Sequence, residues 1–63
     1  MIKFRGEKFV NEAHWASFVR GYQAKMQSEK KEANPFDEKQ TPYYFDLWVK
    51  GWDKASDYIK GRN

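Results

Sequence analysis

A chain of 63 residues that contains no cysteine has to hold its fold by side-chain packing alone. Below about 70–80 residues a single hydrophobic core supplies only a few kcal/mol, so small domains commonly add disulfides or a structural metal. Lack of cysteine excludes disulfides and thiolate metal sites here. What the chain has instead is rings: three Trp, four Tyr and five Phe, in a polar sequence with a mean hydropathy of −1.08. Each buried ring removes roughly 150–250 Å² from water, enough for a handful of them to hold two helices together. An aromatic surplus on so small a domain is also the composition of a surface that a partner covers.

The rings are distributed with two periods. Apolar and charged residues alternate from Ile2 to Arg5, Gly6 sits where a tight turn needs positive φ, and Phe9 follows. This pattern predicts a short hairpin over 2–10, which must lean on something because an isolated hairpin is marginal in water. Asn11 is a good N-cap, with Glu12 in the first turn behind it. Trp15, Phe18, Val19, Tyr22 and Met26 then recur at helical spacing, predicting helix one over 12–30 with Lys30 and Lys31 in its last turn. Asn34-Pro35 breaks the pattern and opens a polar loop over 31–41. Thr41-Pro42 reads as an N-cap followed by an N1 proline. From there Tyr44, Leu47, Trp48, Gly51, Trp52, Ala55, Tyr58 and Ile59 trace one stripe, predicting helix two over 42–60, with Gly61 placed to end it.

Gly21 lies in the middle of the first helical tract and Gly51 in the middle of the second. A helix-interior Gly costs about 1 kcal/mol relative to Ala, so a compensating contact is expected. Removing Cβ lets another backbone or a Trp ring sit against the helix, and Ala24 and Ala55 extend the small-residue surface by a turn. The expected fold class is α+β, mainly α. It places a short N-terminal β-hairpin before an antiparallel two-helix hairpin, crossing at Gly21 and Gly51 with Trp48 and Trp52 around them.

Side chains able to do chemistry are few. His14 is the one histidine and is expected to be solvated or capping in the first turn of helix one. Without a second histidine or clustered carboxylates, the usual zinc ligand sets are missing. Asp53 and Asp57, with Lys50, Lys54 and Lys60 nearby, read as a salt-bridged solvent face. No phosphate-binding glycine loop or nucleophile motif is present, so neither catalysis nor a cofactor nor a small-molecule substrate is expected. No stretch approaches the ~18 apolar residues of a membrane span. Met1–Val10 is charged throughout where a signal peptide is apolar, and a cytoplasmic location is expected. Net charge is +3, with a pI near 9.3, which permits contact with nucleic acid without demanding it. Arg20, Lys25, Lys30 and Lys31 near Tyr22, with Lys50, Lys54, Lys60 and the tail Arg62, form a basic–aromatic mix suited to single-stranded RNA. The same aromatics also read as core, with lysines that merely keep it in solution, and composition alone favours that reading.

Three short segments carry a resemblance. Arg20-Gly21-Tyr22-Gln23-Ala24 is similar to the RGYQA signature of the ribosome modulation factor family. Fourteen residues after Gly21 comes Pro35-Phe36, in the place of that family's Pro-Tyr, and Trp48-Val49-Lys50-Gly51-Trp52-Asp53-Lys54-Ala55 is similar to its W-x-G-G-W-x-x-A run. The resemblance covers about residues 20–56. It implies a small two-helix cytoplasmic protein that binds the small ribosomal subunit near the 3′ end of its RNA, hinders initiation and favours inactive ribosome dimers. A branch of small plasmid and phage proteins shares the N-P-[YF] and GW elements, and Asn34-Pro35-Phe36-Asp37 resembles that branch. The chain departs from the family pattern in several places. Met1–Val10 replaces a strongly basic N-terminus, the Pro35-to-Trp48 interval is longer, Lys50 replaces the first Gly of the Gly-Gly pair, and Asn34 replaces a cysteine.

Two partners follow as expectations. One is the ribosomal small subunit, reached through rRNA by Arg20, Tyr22, Lys25, Lys30, Lys31, Lys50 and Lys54, which would make the chain a translation modulator. The other is a host protein, bound by an adaptor or inhibitor of phage or plasmid origin through a surface rich in aromatics.

Overall fold

The computed structural model describes residues 2–4 and 6–61. Arg5 and Arg62, counted above among the charged residues, lie outside the described residues. Strands β1 (Ile2–Phe4) and β2 (Glu7–Phe9) precede helix α1 (Glu12–Met26), a single 3-10 turn (Lys31–Ala33) and helix α2 (Pro42–Gly61). The fold is α+β and mainly α, a two-stranded antiparallel hairpin followed by two helices.

The hairpin pairs Ile2 with Phe9, Lys3 with Lys8 and Phe4 with Glu7, and Gly6 takes a φ of 88°. Directly paired residues share a face, so Ile2, Phe4 and Phe9 point together while Lys3 and Lys8 share the opposite face. The apolar face lies on α1. Phe9 meets Phe18 with ring centroids 4.9 Å apart, and Phe4 meets Phe18 edge-on at 6.1 Å and Tyr22 edge-on at 5.2 Å. Phe9 is buried, so the hairpin completes the core.

Helix α1 starts where its cap predicts. Asn11 is extended, and its Oδ1 accepts the His14 backbone N–H at 3.0 Å. The buried Ser17 hydroxyl donates to the Ala13 carbonyl at 2.9 Å and is thereby satisfied inside the helix.

The helix then ends at Met26, four residues short of the expected 12–30 span. Ser28 adopts φ 65°, its N–H donates to Lys25 O at 2.9 Å, and the Glu29 N–H donates to Ala24 O at 2.8 Å. This pair of bonds is a Schellman termination. Residues 27–32 are all polar, so continuing the helix would bury nothing. Lys30 and Lys31 therefore leave the helix, and Met26, read as part of its apolar face, is 46% exposed.

Within the 31–41 segment, Asn34 joins the loop to α2. Its Oδ1 accepts the Phe36 N–H at 3.0 Å and its Nδ2 donates to Phe45 O at 3.2 Å. Asp37 Oδ1 accepts the Lys39 and Gln40 N–H groups, and the Thr41 hydroxyl donates to Asp37 O at 3.2 Å. The Thr41 side chain thus closes the preceding turn instead of capping α2, although its carbonyl accepts the Phe45 N–H at 2.9 Å. Pro42 is the first helical residue, and α2 extends through Gly61.

The helices meet backbone to backbone. A Cβ built on Gly21 would fall inside the van der Waals envelope of the Trp48 carbonyl oxygen, and one on Gly51 inside that of the Phe18 carbonyl oxygen. In each case the hydrogen that stands in place of Cβ points at a carbonyl, the arrangement of a Cα–H···O contact. Ala24, Ala55, Phe18 and Trp48 are buried around this point. His14, two turns before Gly21, stacks on Tyr43, two turns before Gly51. In two helices lying alongside each other in antiparallel fashion, those ends would be far apart. The two helices of the expected antiparallel hairpin therefore cross at the glycines and do not lie alongside each other, and the fold measures 36 × 28 × 13 Å.

Three outcomes follow from this packing. Gly51→Ala should cost at least about 1–3 kcal/mol, because the obstructing atoms belong to a helix backbone. Lys50→Ala, on the exposed side, should stay within about 0.5 kcal/mol. Thermal melts compare the two, with about 4–8 °C expected per kcal/mol, and equal melting temperatures would remove the crossing. Removal of residues 1–10 should abolish the cooperative melt, since losing a buried Phe alone costs about 3–5 kcal/mol. A truncated chain melting cooperatively near the parent temperature would refute this. Ser28→Gly should raise the melting temperature by relieving about 1 kcal/mol of left-handed strain, and a decrease would show that the serine side chain is itself stabilising.

Candidate nucleic-acid interface

Seven side chains were expected to contact RNA or a partner, and the fold distributes them over several places. Tyr22 is buried, at 5% exposure, packed edge-on against Phe4 with its ring 6.5 Å from that of Tyr58. It is a core residue, and its assignment as a contact is corrected. Its place in the i, i+4 series from Phe18 is what carries it inward. Arg20 lies on the exposed side of α1.

Lys25 and Lys31 converge on Trp52. The Lys25 ammonium lies 4.6 Å from the ring centroid and that of Lys31 5.1 Å. Both distances are within the range of a cation–π contact. Lys31 also pairs with Asp53 at 3.0 Å, both side chains being about half exposed. Asp53 thus takes its partner from the loop and not from the lysines of its own helix. Trp52 was expected at the crossing beside Trp48. Trp48 is there, but Trp52 sits at the end of α1, where its indole N–H donates to the Glu29 carbonyl at 3.0 Å. That bond takes up a carbonyl in the polar stretch after the Schellman turn, and the half-buried ring becomes a base for two ammonium groups. Lys30 is exposed next to them in the chain.

Lys50 and Lys54 lie elsewhere. Lys54 is half-buried beside Tyr22, Asp57 and Tyr58. Lys50 stands at the mouth of a cleft of about 320 Å³ between β2 and the first turns of α2. Phe9, Phe18 and Leu47 line this cleft, as do His14 and Tyr43. His14 is half-buried and stacked on Tyr43, with centroids 4.7 Å apart and planes 24° from parallel. It is neither simply solvated nor capping by its side chain, as the sequence suggested. Tyr43 is 59% exposed.

The sequence pattern did not single out Tyr43, His14 or the hairpin lysine Lys8 as parts of one place. A signal was available in the Tyr43-Tyr44 doublet, because adjacent helical residues point about 100° apart and both cannot face the core. The joining of a hairpin residue to the start of α2 is a tertiary event without local signature. Among the described residues, no three His, Cys, Asp or Glu side chains gather as a metal site would require, and no helix is long and apolar enough to cross a membrane. No protein-family model, no curated protein and no solved structure matches this chain.

Proposed function

We propose that this chain is a non-catalytic, cytoplasmic RNA-binding protein that occupies the small ribosomal subunit and modulates translation, as its resemblance to the ribosome modulation factor family implies. The observation that carries the reading is the placement of Lys25 and Lys31 over Trp52, with Lys30 exposed alongside. The ring holds both ammonium groups at a fixed place on the surface, so less order has to be imposed when phosphates arrive. Asp53 pairs with Lys31, and Glu29 and Glu32 flank Lys30 and Lys31 in the chain, so the patch is mixed in sign and Lys25 and Lys30 are its cations without an ion pair among the described residues. The mechanism is occlusion. A domain seated on rRNA by charge and ring contacts blocks mRNA entry or subunit exchange without chemistry of its own.

A second reading is favoured by a different observation. Val10, Met26, Tyr43, Tyr58 and Ile59 are large apolar side chains left 38–75% exposed, which suits an adaptor or inhibitor acting on a host protein.

Salt separates the two. Lys25 and Lys31 support Trp52, so the cleanest change is Lys30→Glu, alone and together with Lys31→Glu. Binding to purified small subunits should fall steeply with salt. On single strands the log–log slope should become shallower by about 0.7 for each phosphate that the variant no longer neutralises. Sedimentation of the tagged protein through sucrose gradients at low salt should place it with small subunits. Binding that ignores both salt and the lysine changes points to the protein partner. A protein that stays at the top of the gradient in growth and in starvation ends the ribosomal reading.

A further inference from the structure

The cleft between β2 and α2 is built by three elements, with Phe9 from the hairpin, His14 and Phe18 from α1, and Tyr43, Leu47 and Lys50 from α2. We propose that this cleft is a subsite for one nucleotide of single-stranded RNA, the base stacking on Tyr43 and the adjoining phosphodiester lying between Lys8 and Lys50. The proposal rests on the RNA-binding reading above and adds to it a second point of attachment, distant in sequence from Lys25, Lys30 and Lys31.

Three observations carry it. Tyr43 is 59% exposed, yet its ring is not loose, since His14 stacks on it at 4.7 Å with planes 24° apart. An aromatic shelf ordered in advance loses little freedom when a base is laid on it, and base–aromatic stacking tolerates any sequence. The cleft measures about 320 Å³, at the small end of ligand sites, and Phe9 and Leu47 line it with apolar surface.

The third observation is charge. Lys8 and Lys50 border the cleft, and neither forms an ion pair among the described residues. Glu7 borders the same cleft and Asp46 lies by Lys50. Two ammonium groups and two carboxylates then balance, so the lysines position the phosphodiester and the stack on Tyr43 has to supply the affinity.

The test is fluorescence anisotropy of a short labelled oligouridine at low salt, with the full chain and with Tyr43→Ala, Tyr43→Phe, Lys8→Gln and the Lys30→Glu/Lys31→Glu pair. Tyr43→Ala should weaken binding by roughly 5- to 150-fold, the range for loss of one stacked base, while Tyr43→Phe keeps the π-face and the affinity. Lys8→Gln should weaken binding and make its salt dependence shallower. Because Tyr43→Ala also removes the support of His14, amide shifts of the unaltered protein supply a second measure. Added oligouridine should move the signals of Phe9, His14, Tyr43 and Lys50. If Tyr43→Ala binds as the parent does while the lysine pair weakens binding, the subsite is overturned and the RNA reading stands. If the parent binds no oligouridine and no small subunits, both are overturned. If Tyr43→Ala loses a protein partner in a chain that has no affinity for oligouridine, the cleft belongs to that partner and the proposal is overturned.

Discussion

Everything in this fold is arranged around two glycines that let one helix backbone touch another. With any side chain at Gly21 or Gly51, the helices would have to separate by about the thickness of a methyl group. The buried surfaces of Phe18, Trp48, Ala24 and Ala55 would then open together. The contact is made by carbonyl oxygens, which do not swing aside as a rotamer does, so no repacking of neighbours relieves an intrusion. A chain too short for a deep core and lacking cross-links gains from this closeness, because dispersion attraction falls away steeply with separation. Each Gly sacrifices about 1 kcal/mol of helix propensity, and the contact it permits has to exceed that.

The remaining elements act by covering or fastening that crossing. The hairpin lays Phe4 and Phe9 over Phe18 and Tyr22. Asn34 fastens the loop to α2 through Phe45 O, and Trp52 fastens the end of α1 to α2 through Glu29 O. Each is a hydrogen bond from a side chain to a backbone carbonyl distant in sequence. Such bonds set the path of a mostly polar connection, whose one large apolar residue, Phe36, lies half-buried with its ring 5.8 Å from that of Tyr44.

Much of this fold is legible in the residues themselves. Two isolated glycines amid helical-period aromatics point to a close crossing, Asn11 and Pro42 mark the helix starts, and alternation around Gly6 marks the hairpin. Where the pattern misleads, the causes are physical. The end of α1 is made by Ser28 in a conformation that usually requires Gly or Asn, so no residue announces it. Lys30 and Lys31 suit a last turn by their charge, and charge preference is weaker than the absence of anything to bury. Tyr22 resembles a contact residue because basic residues flank it in sequence, whereas i, i+4 spacing from Phe18 decides its direction. The candidate sites are less legible than the fold. Lys25, Lys31 and Trp52 come from three separate segments, as do Lys8, His14 and Tyr43.

The shortest dimension of the fold is 13 Å, so the buried residues at the crossing lie close beneath both broad faces. A partner seated on either broad face therefore touches side chains that themselves touch the crossing. Its binding free energy adds directly to global stability, because the folded form binds and the open chain does not. For a marginal domain that increment governs how often the chain opens to a protease. A copy held by a partner would therefore open less often than a free copy, and would outlast it wherever proteolysis follows opening.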